Sequence, residues 1–122
     1  MKILSIEKAR KESLVMTYTI DEIRKMIEPV AIEYELPAVY LFGSYARGEA
    51  NDDSDIDIMI DDENSYKFQK MFGFGGLFED LMNTFNKKID IVFINGLMER
   101  DGKAGDYMRS TILSERVLIY DR

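Results

Sequence analysis

Asp55, Asp57 and Asp90 are the residues of this chain whose chemistry is most at odds with their surroundings. In the stretch LFGSYARGEANDDSDIDIMI, residues 41–60, Asp55 and Asp57 alternate with Ile56, Ile58 and Ile60, and further on Asp90 stands between Ile89 and Ile91. On a strand, Asp55 and Asp57 project to one face about 6.6 Å apart along the backbone, while the isoleucines fill the other face. Two carboxylates at that spacing repel, and a divalent cation bridging them removes the conflict. An acid embedded in apolar neighbours, as Asp90 is, must be compensated or it takes up a proton. The plain structural alternative is a solvated edge, with Asp90 on the surface as its strand begins. A calcium loop does not fit. With Asp53, Asp55 and Asp57 as its first ligands, Ile58 stands where glycine is required and Asn64 where a bidentate glutamate belongs.

Just upstream, Gly43-Ser44-Tyr45-Ala46-Arg47-Gly48 has the glycine spacing of a phosphate-binding P-loop, but Glu49 and Ala50 replace its lysine and hydroxyl residue. It is not a Walker A sequence. A small-residue turn after a strand still offers backbone N–H groups and the Ser44 hydroxyl to a phosphate oxygen, and Arg47 adds a positive charge. As a turn alone, the pattern is common. The second glycine cluster, Gly73-Phe74-Gly75-Gly76, follows no strand in the way a dinucleotide fingerprint requires.

Composition narrows the chemistry. The chain has no cysteine and no histidine, which excludes disulfides, zinc-thiolate sites, thiol nucleophiles and imidazole acid-base catalysis. Any metal must sit on oxygen ligands, which points to magnesium, manganese or calcium. A net charge of −7 disfavours tracking of a nucleic-acid backbone, and the basic patch Lys8, Arg10 and Lys11 is too small to reverse it. No apolar run approaches the roughly 20 residues of a membrane span, and the start MKILSIEKARKESL lacks a signal-peptide core, so a cytoplasmic location is expected.

Elements that would position these residues can be read along the 122 residues, the length of one domain. Thr19 and Glu22 have capping-box spacing, and Ile20, Ile23, Ile27, Val30 and Tyr34 recur at helical period, predicting a helix over 20–35 strained near Pro29. Strands are expected at 38–42 and 54–60, with 44–48 as a tight turn or single helical turn between them. Ser65 is a candidate cap for a segment broken at 73–76, after which Leu77, Phe78, Leu81, Met82 and Phe85 restore a helical stripe. A third strand follows at 89–94, then loops at Asn95-Gly96 and Asp101-Gly102, a helix at 107–113 and a last strand at 116–120. Phe72, Phe74 and Leu97 fit either partner-contacting loops or core. The expected architecture is a single α/β domain over 19–122, a mixed sheet flanked by helices, preceded by a segment 1–18 of open role.

Taken together, Gly43-Ser44, Gly48, Asp55-Ile56-Asp57 and Asp90 resemble the signature of the nucleotidyltransferase superfamily that includes DNA polymerase beta. The fuller pattern, G-S-Y-A-R-G followed by S-D-I-D, is similar to its minimal nucleotidyltransferase (MNT) branch. The resemblance implies a metal-dependent transfer of AMP from ATP to a hydroxyl, with release of pyrophosphate. It implies that Asp55, Asp57 and Asp90 are catalytic and hold two Mg²⁺ ions, with Mn²⁺ as a substitute, and that Asp90 can accept the hydroxyl proton. Gly43, Ser44, Arg47 and Gly48 would bind the nucleotide phosphates. Many superfamily enzymes carry a further domain for the acceptor. MNT proteins are often paired instead with a HEPN-domain RNase toxin, which they adenylylate as antitoxins, so a hetero-oligomer with such a protein is implied here. Two alternatives stand beside this one: a non-catalytic nucleotide-binding subunit that neutralises its partner by contact, and an unrelated metal-binding or structural domain. The complete acid set favours catalysis over a binder, which has no need of it.

Overall fold

The computed structural model describes residues 17–61, 73–98 and 101–122. Helix α1, Ile20–Glu33, starts as its sequence dictates: the Thr19 hydroxyl accepts from the Glu22 N–H, and the Glu22 carboxylate accepts from the Thr19 N–H. Ile23, Ile27, Val30 and Ala31 form its buried stripe, and Pro29 lies within the helix. Strand β1, Ala38–Phe42, leads into the short helix α2, Gly43–Arg47, and then into β2, Ile56–Asp61. Next come α3, Gly73–Phe85, strand β3, Ile89–Phe93, helix α4, Ile94–Met98, helix α5, Gly102–Glu115, and strand β4, Val117–Asp121.

The four strands form one mixed sheet in the order β3-β2-β1-β4. β1 is antiparallel to β2 and β4, whereas β2 and β3 are parallel. Alternation along the strands divides the apolar residues between two faces. Val39, Leu41, Ile56, Ile58, Ile60 and Ile89 join Ile23, Ile27, Leu77, Leu81 and Phe85 in the main core under α1 and α3. On the opposite face Met59 packs with Leu97 and Ile112, from α4 and α5, with Tyr40, Phe42 and Val92 at its margin. The register aligns Tyr40, Met59 and Val92 in one row across the sheet, and Phe42, Asp57 and Asp90 in the next. The first row lies in the cluster under α4 and α5, and the second borders an open cleft.

Several sequence expectations are corrected. Residues 73–76 are the first turn of α3 and not a break. Burial of Leu77, Leu81 and Phe85 outweighs the poor helix propensity of its glycines. Asn95-Gly96 lies inside α4, which follows β3 directly and inserts Leu97 into the second cluster, so Leu97 is core and not a loop contact. The last helix is longer than 107–113 and begins at Gly102. β2 starts at Ile56, leaving Asp55 just before the strand. Ser65 and Phe72 lie outside the described residues, as does the expected N-terminal segment except Thr17 and Tyr18.

Candidate active site

Three elements meet at the Phe42, Asp57, Asp90 row: the turn after β1, the start of β2 and the start of β3. The turn is built by its two glycines. Gly43 has φ +70° and Gly48, which closes α2, has φ +74°, both in the left-handed region that glycine enters without penalty. Between them Tyr45 is buried in the main core and anchors the turn. Ser44 and Arg47, one helical turn apart, both line the cleft.

Gly43 has a second reason to be glycine. A Cβ there would lie 2.1 Å from Oδ2 and 2.9 Å from Cγ of Asp57, so the backbone of the turn and the carboxylate occupy space that no side chain can share. Asp57 in turn faces Asp90, its register partner on β3. Burial pushes the Asp57 carboxyl up to about 6, helped by the charge and hydrogen bond of Asp90 and then by the charge of Asp55, while Arg47 opposes the shift. Asp55 Oδ2 lies 3.7 Å from Lys88 Nζ. Lys87 holds the adjoining loop, its Nζ donating to the backbone oxygens of Asp52 at 2.7 Å and Ser54 at 3.3 Å.

The resulting cleft has a volume of about 530 Å³. One wall carries Gly43, Ser44, Arg47, Asp55, Asp57 and Asp90, and the other is the α5 face formed by Met108, Thr111, Ile112 and Glu115. The structure thus gathers six of the seven residues singled out in the sequence. The seventh, Gly48, does not line the cleft. It lies on the far side of the turn beside Tyr18 and Tyr45, where its left-handed φ closes α2. Asp90 is exposed while Asp55 and Asp57 are partly buried; among the described residues β3 is an edge strand and β2 lies inside the sheet. The sequence reading missed Lys88 and the whole α5 wall. The only signal for that wall is the helical spacing of Met108, Thr111, Ile112 and Glu115, an amphipathic stripe that ends on an acid.

The acids suit an oxygen-ligated cation. Among the described residues no three acidic side chains are already gathered into a cation cage. Asp57 and Asp90 instead form a close pair with Asp55 at its edge, held by Lys88. Burial is the main cause of the raised proton affinity of Asp57, and the charges of Asp90 and Asp55 add a repulsion that a bound divalent cation would relieve. A row of acids beside a small-residue turn, in a cleft of nucleotide dimensions, is a setting for phosphoryl or nucleotidyl chemistry.

The family model described as Polymerase beta, Nucleotidyltransferase matches residues 25–122. The chain belongs to this nucleotidyltransferase family. Two proteins of Methanocaldococcus jannaschii, each named "Putative protein adenylyltransferase", are similar to this nucleotidyltransferase. One is 32% identical over 62% of this chain and 84% of its own length, and the other 36% identical over 61% and 77%. Among solved structures, a toxin-antitoxin with AMP-PNP matches with a TM-score of 0.59 and 19% identity over 81% of this chain and 73% of the matched chain. A mutant of the MntA-HpeT toxin-antitoxin matches with a TM-score of 0.54 and 20% identity over 87% and 75%. At these identities the structural matches establish the shared fold. No helix among the described residues is long and apolar enough to cross a membrane.

Proposed function

We propose that this nucleotidyltransferase moves AMP from ATP to a hydroxyl of a partner protein, and that it acts in the cytoplasm as the antitoxin of a HEPN-domain RNase toxin. The observation that carries the chemistry is the pairing of Asp57 with Asp90 across β2 and β3, within one cleft that also holds Ser44 and Arg47. The names of the M. jannaschii relatives support protein as the acceptor, and the toxin-antitoxin structures of the same fold support the partner.

In this mechanism Ser44 and the Gly43 backbone bind the distal phosphates, and Arg47 neutralises charge on the same oxygens. Asp55, Asp57 and Asp90 would hold magnesium or manganese ions, which when bound lower the pKa of the attacking hydroxyl and screen the triphosphate. Asp90, the most exposed of the three, takes the hydroxyl proton in this reading. The hydroxyl oxygen attacks the α-phosphorus, the bond from the α-phosphorus to the bridging oxygen breaks, and pyrophosphate leaves. A side chain presented at the tip of a partner loop can reach the cleft from its open side.

The test is intact-mass spectrometry of a co-expressed HEPN partner after incubation with this protein, ATP and Mg²⁺. Addition of AMP units to the partner is the expected result. An unchanged partner alongside a nucleotide-modified RNA end or small alcohol would overturn the choice of acceptor and leave only the enzyme class standing.

A further inference from the structure

Helix α5 ends on an acid. Glu115 is its last residue, where the carbonyl end of a helix favours a cation, and no basic residue stands in its last turn. The Glu115 side chain is only 24% exposed. Its compensation comes from Arg47, the last residue of α2 and 68 positions earlier. Arg47 Nη1 donates to Glu115 Oε2 at 3.1 Å and to Oε1 at 3.3 Å. The other side of the same guanidinium is held as well, with Nε donating to Glu49 Oε1 at 3.2 Å. Arg47 and Glu115 both line the cleft, and Glu49 does not. Two of the three guanidinium nitrogens are thereby engaged, and Nη2 forms no hydrogen bond among the described residues.

We propose that Glu115 is a positioning residue for the nucleotide: with Glu49 it clamps Arg47 from two elements, fixing the guanidinium plane and leaving the Nη2 donors for triphosphate oxygens. The inference rests on the proposed role of Arg47 as a phosphate ligand. An arginine free on the surface loses its rotamer freedom when it binds phosphate, whereas one already held by carboxylates on two sides has lost it in advance. The clamp also accounts for an acid at a helix end that otherwise disfavours it, and for a carboxylate in a cleft that must admit a polyanion.

The test is calorimetric titration of Mg²⁺-ATP into the full chain, in the wild type, Glu115→Gln, Arg47→Ala and the double variant, with a thermal melt of each. Glu115→Gln is expected to weaken binding about 3- to 10-fold with little change in the melt, the scale of one weakened charge-assisted contact. In the Arg47→Ala background the same change is expected to cause no further loss, because Glu115 acts through Arg47. Glu49→Gln, more exposed, provides a second probe with a smaller loss in the same direction. Unchanged or tighter binding in Glu115→Gln, or losses that add in the double variant, would overturn the inference while leaving the nucleotide site standing. A wild-type chain that binds no Mg²⁺-ATP would overturn both.

Discussion

Replacing Asp57 by asparagine should stabilise the metal-free protein while abolishing transfer. Asp57 has a folded-state pKa of about 6 against an ordinary 3.8, so the native state holds its proton more tightly than the unfolded chain does. The sign follows from linkage. Between those two values the native state binds more protons, and stability falls as pH rises through the window and levels off above it. The shift corresponds to a ceiling of about 3 kcal/mol at roughly 1.4 kcal/mol per pH unit. Asp57 is only half-buried, and solvent screening reduces the expected penalty to about 1 to 1.5 kcal/mol. Asparagine keeps the size of the side chain, cannot ionise, and can donate its amide to Asp90. In EDTA at pH 8, Asp57→Asn should therefore melt about 3 to 5 °C above the wild type, a gap that closes below pH 4. Added Mg²⁺ should raise the wild-type melting temperature and leave the variant nearly unchanged, because the variant lacks a ligand. The assay is a set of fluorescence melts from about pH 3 to 8 with EDTA or Mg²⁺, alongside transfer from labelled ATP. A variant that melts at or below the wild type at pH 8, with a parallel pH profile, would refute the burial and crowding of charge assigned to the Asp57 carboxylate.

Other substitutions probe separate parts of the structure. Gly43→Ala forces a side chain into a left-handed backbone and against the Asp57 carboxylate, so it should cost about 1 to 2 kcal/mol in urea unfolding and eliminate most transfer activity. Wild-type turnover in that variant would show that the carboxylate can move without consequence. Arg47→Ala should weaken Mg²⁺-ATP binding by about 10- to 100-fold, and unchanged affinity would remove Arg47 from the phosphate site. Pro29→Ala restores a donor for the Lys25 carbonyl inside α1 and should raise the urea midpoint without affecting transfer. A lower midpoint would mean that proline's restriction of the unfolded chain outweighs the lost hydrogen bond.

Much of this site was legible because its decisive residues are local anomalies. Asp57 among isoleucines and Gly43 at the end of an apolar strand each stand out against a short-range pattern, and the Thr19–Glu22 cap is likewise a local signal. What could not be read depends on pairing between distant segments. The apposition of Asp57 and Asp90 requires β2 and β3 to be parallel neighbours in one particular register, and alternation within each strand does not specify that. Residue spacing also could not tell which acid would be buried: Asp90 looked enclosed by its neighbours, but β3 lies at the edge of the sheet. The α5 wall was hidden for the same reason, since Glu115 meets Arg47 only once β4 has returned the chain to the side of β1. The glycines of α3 misled because helix propensity is a weak preference that burial of three large side chains overrides.

The near-contact between Gly43 and Asp57 also constrains how this chain can vary. A side chain at position 43 meets the Asp57 carboxylate for as long as it stays at that spot, so the two residues are expected to vary together although strand pairing and not adjacency joins them. Drift away from activity has a preferred order. Loss of the acid removes the steric part of the demand for glycine, leaving only the backbone preference at φ +70°, and position 43 can then admit asparagine or aspartate, which tolerate that conformation. The reverse order would push a new Cβ into the carboxylate first and cost stability and activity together. Among descendants of such a chain, a residue other than glycine at 43 should therefore mark lineages in which the acid at 57 had already gone.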